Sequence, residues 1–112
     1  MKAVVISEKG SLDNLEILEL PIPVINPDQV LVKIKACGIN PVDWKGVVLS
    51  YFQIPSYILG TDISGIVENI GAAVTTFKIG DEVIGSLEWA KQGAFAEYVA
   101  TEEKYLARKP KN

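Results

Sequence analysis

The side chains able to do chemistry gather in two short stretches: Cys37, Asn40, Asp43 and Lys45 in ACGINPVDWKG, and Thr61 and Asp62 in ILGTD. A cysteine acts as a nucleophile or metal ligand only as a thiolate, which needs a neighbouring base, cation or metal. The chain has one cysteine and no histidine. That excludes an internal disulfide, a CxxC zinc clip, a Ser-His or Cys-His nucleophile pair and any imidazole ligand. No set of further ligands is spaced around Cys37, so it reads as a small apolar residue packed in a strand beside Ala36. Asp43 and Asp62 have the form of turn or first-helical-turn acids that bond nearby backbone N–H groups. Asn40 has the form of a helix cap and Lys45 of a solvated cation.

These residues must be placed by the elements around them. MKAVVISE and QVLVKIKACGI are rich in Val and Ile, and VLVKIKA alternates apolar with charged residues, as half-buried strands do. PIPVINP, with three prolines, is an extended or turning connection. PVDWKGVVL is expected to form a short helix with Asn40 as cap and Pro41 at the first helical position, ending near Gly46 and the β-branched Val47 and Val48. Glycines 60, 65, 71, 80 and 85 divide the region 58–85 into short apolar segments, the mark of strands that bend and turn tightly. KIGDEV reads as a turn entering a strand, and GAFAEYVA as a further strand. The terminal KYLARKPKN reads as a solvated tail or linker. Pattern alone predicts a mainly β barrel with one or two short helices.

Composition narrows the class. At 112 residues the chain is one domain's length, 48% hydrophobic and 22% charged, with no apolar run long enough to cross a bilayer. No h-region with a cleavage site follows Met1-Lys2, so a cytoplasmic setting is expected. A net charge of -3 with scattered cations argues against a nucleic-acid partner. IGAAV is not a dinucleotide loop: Gly71 lacks the second glycine of GxGxxG and TTFKIGDEV after it is not helical, so a turn between strands is the expectation.

Taken in order, MKAVVI, LPIPVINPDQVLVKIKACGINPVDWKG, ILGTDISGIVENIGAAVTTFKIGDEVIG and GAFAEYVA resemble the N-terminal, GroES-like catalytic domain of the medium-chain dehydrogenase/reductase superfamily. Within it they resemble the zinc-independent quinone oxidoreductase and alkenal reductase branch. The resemblance implies a partly open β-barrel whose cleft receives the nicotinamide end of NADPH or NADH. Zinc-dependent relatives carry a cysteine after the Gly-hydrophobic pair and a His-Glu pair after Leu-Gly. Here Asn40 follows Gly38-Ile39, and Thr61-Asp62 follow Leu59-Gly60. The cysteine-rich structural zinc loop is also absent, so no metal is expected. The resemblance then implies hydride delivery to a quinone or an α,β-unsaturated carbonyl. Asn40 is expected to line the cleft near nicotinamide or substrate, because its amide donates and accepts without titrating. Lys45 falls near where some relatives place a substrate-contacting tyrosine and is the second candidate catalytic donor. Thr61 replaces a metal ligand and is expected to touch cofactor or substrate, while Asp43 and Asp62 brace the loops.

Residues 1–112 are therefore expected to be the N-terminal part of the GroES-like catalytic domain. In the family, sequence such as RKPKN leads into a Rossmann domain, after which the chain returns to complete the catalytic domain. Without that half the chain is expected not to turn over by itself, as a fragment or a shortened gene product, and any homodimer would form through the missing domain. The rival from another class is a non-catalytic GroES-like interaction module. A zinc alcohol dehydrogenase is disfavoured because its ligands would have to be amide and hydroxyl groups.

Overall fold

The computed structural model describes residues 1–7, 11–48, 57–88 and 91–111, with the backbone alone at 46–48 and 57. Strand β1 (Lys2–Ile6) lies between β2 (Leu15–Glu19) and β4 (Tyr57–Ile58) in a three-stranded sheet. A five-stranded sheet follows the order β7 (Tyr98–Glu102), β3 (Gln29–Cys37), β5 (Asp62–Ile70), β6 (Glu82–Ser86), β8 (Leu106–Arg108). Every pairing is antiparallel. Helix α1 (Pro41–Val48) follows β3. The sheets are joined by a bridge between Ala3 and Ala96 and by the Val4 N–H donating to the Phe95 carbonyl at 2.8 Å, and among the described residues they do not close into a barrel. This is the expected mainly β, partly open GroES-like architecture.

The main core lies on the larger sheet and includes Val30, Val32, Ile63, Val67, Val74, Phe77, Val83, Leu87 and Val99. A smaller cluster of Ile6 and Leu59 sits against Phe95. Strand β5 alternates inward Ile63, Gly65 and Val67 with less buried neighbours, as a period of two requires. Strand β3 departs from the expected alternation: Val30, Leu31 and Val32 are all buried, so both of its faces are covered there. Beyond Ile34, which still packs against the core, it leaves the core, and Cys37 at its end is exposed. Cys37 is therefore not core packing, contrary to the sequence reading.

Two glycines shape this strand pair through close approach. A Cβ on Gly65 would lie 2.3 Å from the Lys33 carbonyl oxygen, beside the register shift between Ile34 and Ala36. Gly71 packs against the Asn26-Pro27 turn and donates its N–H to the Gln29 carbonyl at 2.8 Å. It serves a turn between strands, as expected.

Two other expectations shift. GAFAEYVA is strand only from Tyr98; residues 93–97 instead run between the sheets, with the Glu97 carbonyl accepting from Ile34 N–H at 2.8 Å. The segment read as a solvated tail contributes β8, which pairs Leu106–Arg108 with β6, because Leu106 packs on the core and Arg108 lies over the Phe77 ring.

Candidate functional site

The site is built where β3 ends and α1 begins. Pro41 takes the first helical position, where a missing N–H costs nothing. The Asp43 N–H donates to the Asn40 carbonyl at 2.9 Å, and the Asp43 carboxylate accepts the Asn40 backbone N–H at 2.7 Å. This is the reach-back half of a capping box, so the acid does the capping. The Asn40 side chain, expected as the cap, instead turns to β5, where its Nδ2 donates to Asp62 Oδ2 at 2.8 Å. Asp62 is fixed in turn, since its carbonyl accepts the Gly38 N–H at 3.0 Å and it pairs with Ser86 at the start of β5. Asn40 is thus held twice by carboxylates, by backbone and by side chain. A primary amide has two N–H donors and an acceptor oxygen, so one N–H and the carbonyl oxygen remain for a ligand.

Asp43 is 2% exposed, and its Oδ1 has no hydrogen-bond partner. Asp62 and Asp43 thus brace the loop, as the sequence suggested. The Asp43 charge also reaches Cys37, whose thiol is pushed above its ordinary range first by partial burial of the sulfur and second by that charge. Cys37 therefore stays a protonated, sluggish thiol at neutral pH. Iodoacetamide should label it slowly until the pH passes its raised value. Asp43→Asn, by removing a negative charge, lowers that value and should speed labelling at pH 8 by roughly two- to fivefold, readable by mass spectrometry. An unchanged rate would refute the coupling.

Thr61 is buried, and the segment it belongs to is strapped to Leu87, Gln92, Ala94 and Phe95. The Thr61, Gly60 and Leu59 carbonyls accept N–H groups of Leu87, Ala94 and Phe95 at 2.7, 3.1 and 2.9 Å. The Gly60 N–H donates to Gln92 Oε1 at 3.0 Å. The fold thus brings Asn40 together with the Thr61-Asp62 pair. Lys45 is exposed, with its ammonium 5.5 Å from the centre of the Trp44 ring, and makes no bond to that cluster. Gln92 was missed by sequence reasoning, since only its place before Gly93 marks it.

The residues next to Asn40 line open grooves. Cys37 and Ile39, with Ala3, Val4, Ile17, Phe95 and Ala96, line an almost wholly apolar one of about 560 Å³. Asp62 lies on another of about 520 Å³, with Ile63, Ile84 and Leu106. Among the described residues no three His, Cys, Asp or Glu side chains gather as a metal would need.

The model of the alcohol dehydrogenase GroES-like domain matches residues 26–111, more than half of the chain. The chain belongs to the alcohol dehydrogenase GroES-like domain family. Its relatives are quinone and alkenal oxidoreductases of the medium-chain dehydrogenase/reductase superfamily. This GroES-like domain is 43% identical to the chloroplastic NADPH-dependent alkenal/one oxidoreductase of Arabidopsis thaliana, with 100% of the chain and 32% of the relative covered. It is 41% identical to 2-methylene-furan-3-one reductase of Solanum lycopersicum, over 100% of the chain and 31% of the relative. The solved quinone oxidoreductase of Coxiella burnetii superposes with a TM-score of 0.88 at 29% identity, covering 99% of this chain and 37% of that one. The chain spans about a third of the length of the curated relatives it matches.

Proposed function

We propose that this GroES-like domain is the substrate-side half of an NAD(P)H-dependent reductase of quinones or α,β-unsaturated carbonyls that works without zinc. The observation that carries the reading is the Asn40 side-chain amide, held by Asp62 while Asp43 holds the backbone N–H, where zinc-dependent relatives would present a cysteine, beside an apolar groove. The Arabidopsis relative is NADPH-dependent by name, which favours NADPH over NADH.

The residues fit the nicotinamide end of the cofactor and not its phosphates. Asn40 offers a free donor and acceptor, whereas Gly71 serves a turn and no glycine-rich loop leads into a helix among the described residues. Asn40 and Thr61 would hold that end, and a bound reduced nicotinamide supplies hydride. The free Asn40 N–H is placed to donate to a substrate carbonyl oxygen as negative charge grows there, and it needs no reorganisation because Asp62 already orients it. Ala3, Val4, Ile17, Ile39 and Phe95 give a flat apolar acceptor an apolar bed. Lys45, on the exposed face of α1, is the secondary donor if its ammonium leaves the Trp44 ring. Asn40 and Thr61 are poor zinc ligands.

The test is NADPH oxidation by the full-length protein that carries this domain, with a simple quinone and a simple enone, before and after chelator treatment, together with metal analysis. Turnover that survives the chelator, with zinc far below one ion per chain, is expected. No turnover with any quinone or enone would sink the class, and stoichiometric zinc would contradict the roles given to Asn40 and Thr61. A cytoplasmic location belongs to the same proposal and is read by cell fractionation.

A further inference from the structure

Gln92 stands in a conformation that nothing about a glutamine favours. Among the described non-glycine residues it alone has a left-handed backbone, with φ 52°. It is 4% exposed, and its Nε2 is buried with no hydrogen-bond partner. Both features are unfavourable, and a glycine here would remove both, beside a Gly93 that is itself left-handed at φ 120°. What the glutamine alone supplies is one contact, its Oε1 accepting the Gly60 N–H at 3.0 Å.

That contact joins three backbone hydrogen bonds at the same strap and is the one made by a side chain among the described residues. Gly60 has φ 93° and no side chain, because a Cβ would lie 2.6 Å from the Phe95 ring. Among the described residues the other bonds of this strap, from Leu87, Ala94 and Phe95, are accepted by the carbonyls of residues 59–61, so the Gly60 N–H is the donor that runs the other way. The next two residues are Thr61 and Asp62, and Asp62 carries the Asn40 amide. Costly local conformation that persists for the sake of one contact near a site is a pointer to function.

We infer that Gln92 is a positioning residue: by fixing the Gly60 N–H it sets Thr61 and Asp62, and through Asp62 the orientation of the Asn40 side chain. The consequence for turnover rests on the reductase reading above; the structural consequence does not.

The experiment compares the full-length protein that carries this domain with its Gln92→Gly variant, which relaxes the backbone, and its Gln92→Met variant, which keeps the bulk but cannot accept strongly. In both, amide hydrogen exchange at Gly60 should quicken about tenfold or more while the amides of Val32 and Val67 exchange as before. The Asn40 side-chain NH₂ resonances should move toward solvent-like positions, and Gln92→Gly should melt within a few degrees of the parent. NADPH-dependent kcat should fall about tenfold in both. Unmoved Gly60 exchange and Asn40 resonances would overturn the inference, as would exchange quickened uniformly across the core, which is plain loss of stability. Moved resonances with undiminished kcat would overturn the link to catalysis. A parent without turnover on any acceptor would defeat the reductase reading alone, since exchange and resonances still decide the role of Gln92.

Discussion

Gly71→Ala should destabilise the fold by about 3 kcal/mol, lowering the melting temperature by on the order of 10 °C. The cause is space and not backbone conformation. A Cβ at this position would lie 2.3 Å from the Pro27 carbonyl oxygen, 2.4 Å from that of Asn26 and 2.5 Å from the Pro27 carbonyl carbon. All three are backbone atoms of a turn stiffened by proline, so no side chain can swing aside. Relief would have to come from separating the turn from the 71–73 segment. That would stretch the bonds from Gly71 N–H to the Gln29 carbonyl and from Ala73 N–H to the Pro27 carbonyl, both 2.8 Å. The damage would spread, because Val74 and Phe77 follow directly and belong to the core. Gly80→Ala is the control: nothing lies within 4 Å of its Cβ position, but its φ is +95°, so only the left-handed penalty of about 1 kcal/mol applies. Thermal and denaturant unfolding of the two variants separates crowding from conformation. A Gly71→Ala protein as stable as the parent would mean the turn does not pack as described.

Asn40→Ala should lower kcat about 100-fold, the size of effect seen when a donor aimed at developing negative charge is removed. The fold should tolerate it, because α1 is capped by the Asp43 carboxylate through the Asn40 backbone, which alanine retains. Asn40→Asp should be at least as damaging. It removes the donor and sets a third carboxylate against Asp43 and Asp62, where negative charge must also develop on substrate. Steady-state kinetics with a quinone checks both. Full activity in the aspartate variant would show that no donor is needed at this position.

Much of the fold was legible because its strands carry β-branched runs between glycine and proline punctuation. What misled were positions decided by tertiary contact. GAFAEYVA alternates like a strand throughout, yet its first half is recruited by the backbone of β1 and β3 into a link between sheets. Leu106 turns an apparently solvated tail into a strand by packing on the core. Cys37 lies in a strand-like pattern, but β3 has already left the core when it reaches it. At the site, Asn40 and Asp62 could be singled out one by one, while their 2.8 Å bond spans 22 residues of sequence and follows from the pairing of β3 with β5. The cap expected of the Asn40 side chain is not made, because that side chain is drawn to Asp62, while Asp43 bonds a nearby backbone N–H as an acid of the first helical turn should. Gln92 left no signal beyond its place before Gly93, because neither a left-handed glutamine nor its hold on Gly60 is written in local composition.

The most direct measurement is a double-mutant cycle between Asn40 and Asp62, read on kcat for NADPH-dependent quinone reduction. Asp62→Ala alone should lose about tenfold by freeing the Asn40 amide, but in the Asn40→Ala background less than about twofold, since nothing is then left for Asp62 to orient. Losses that simply multiply would contradict the claim that the two residues act as one oriented donor.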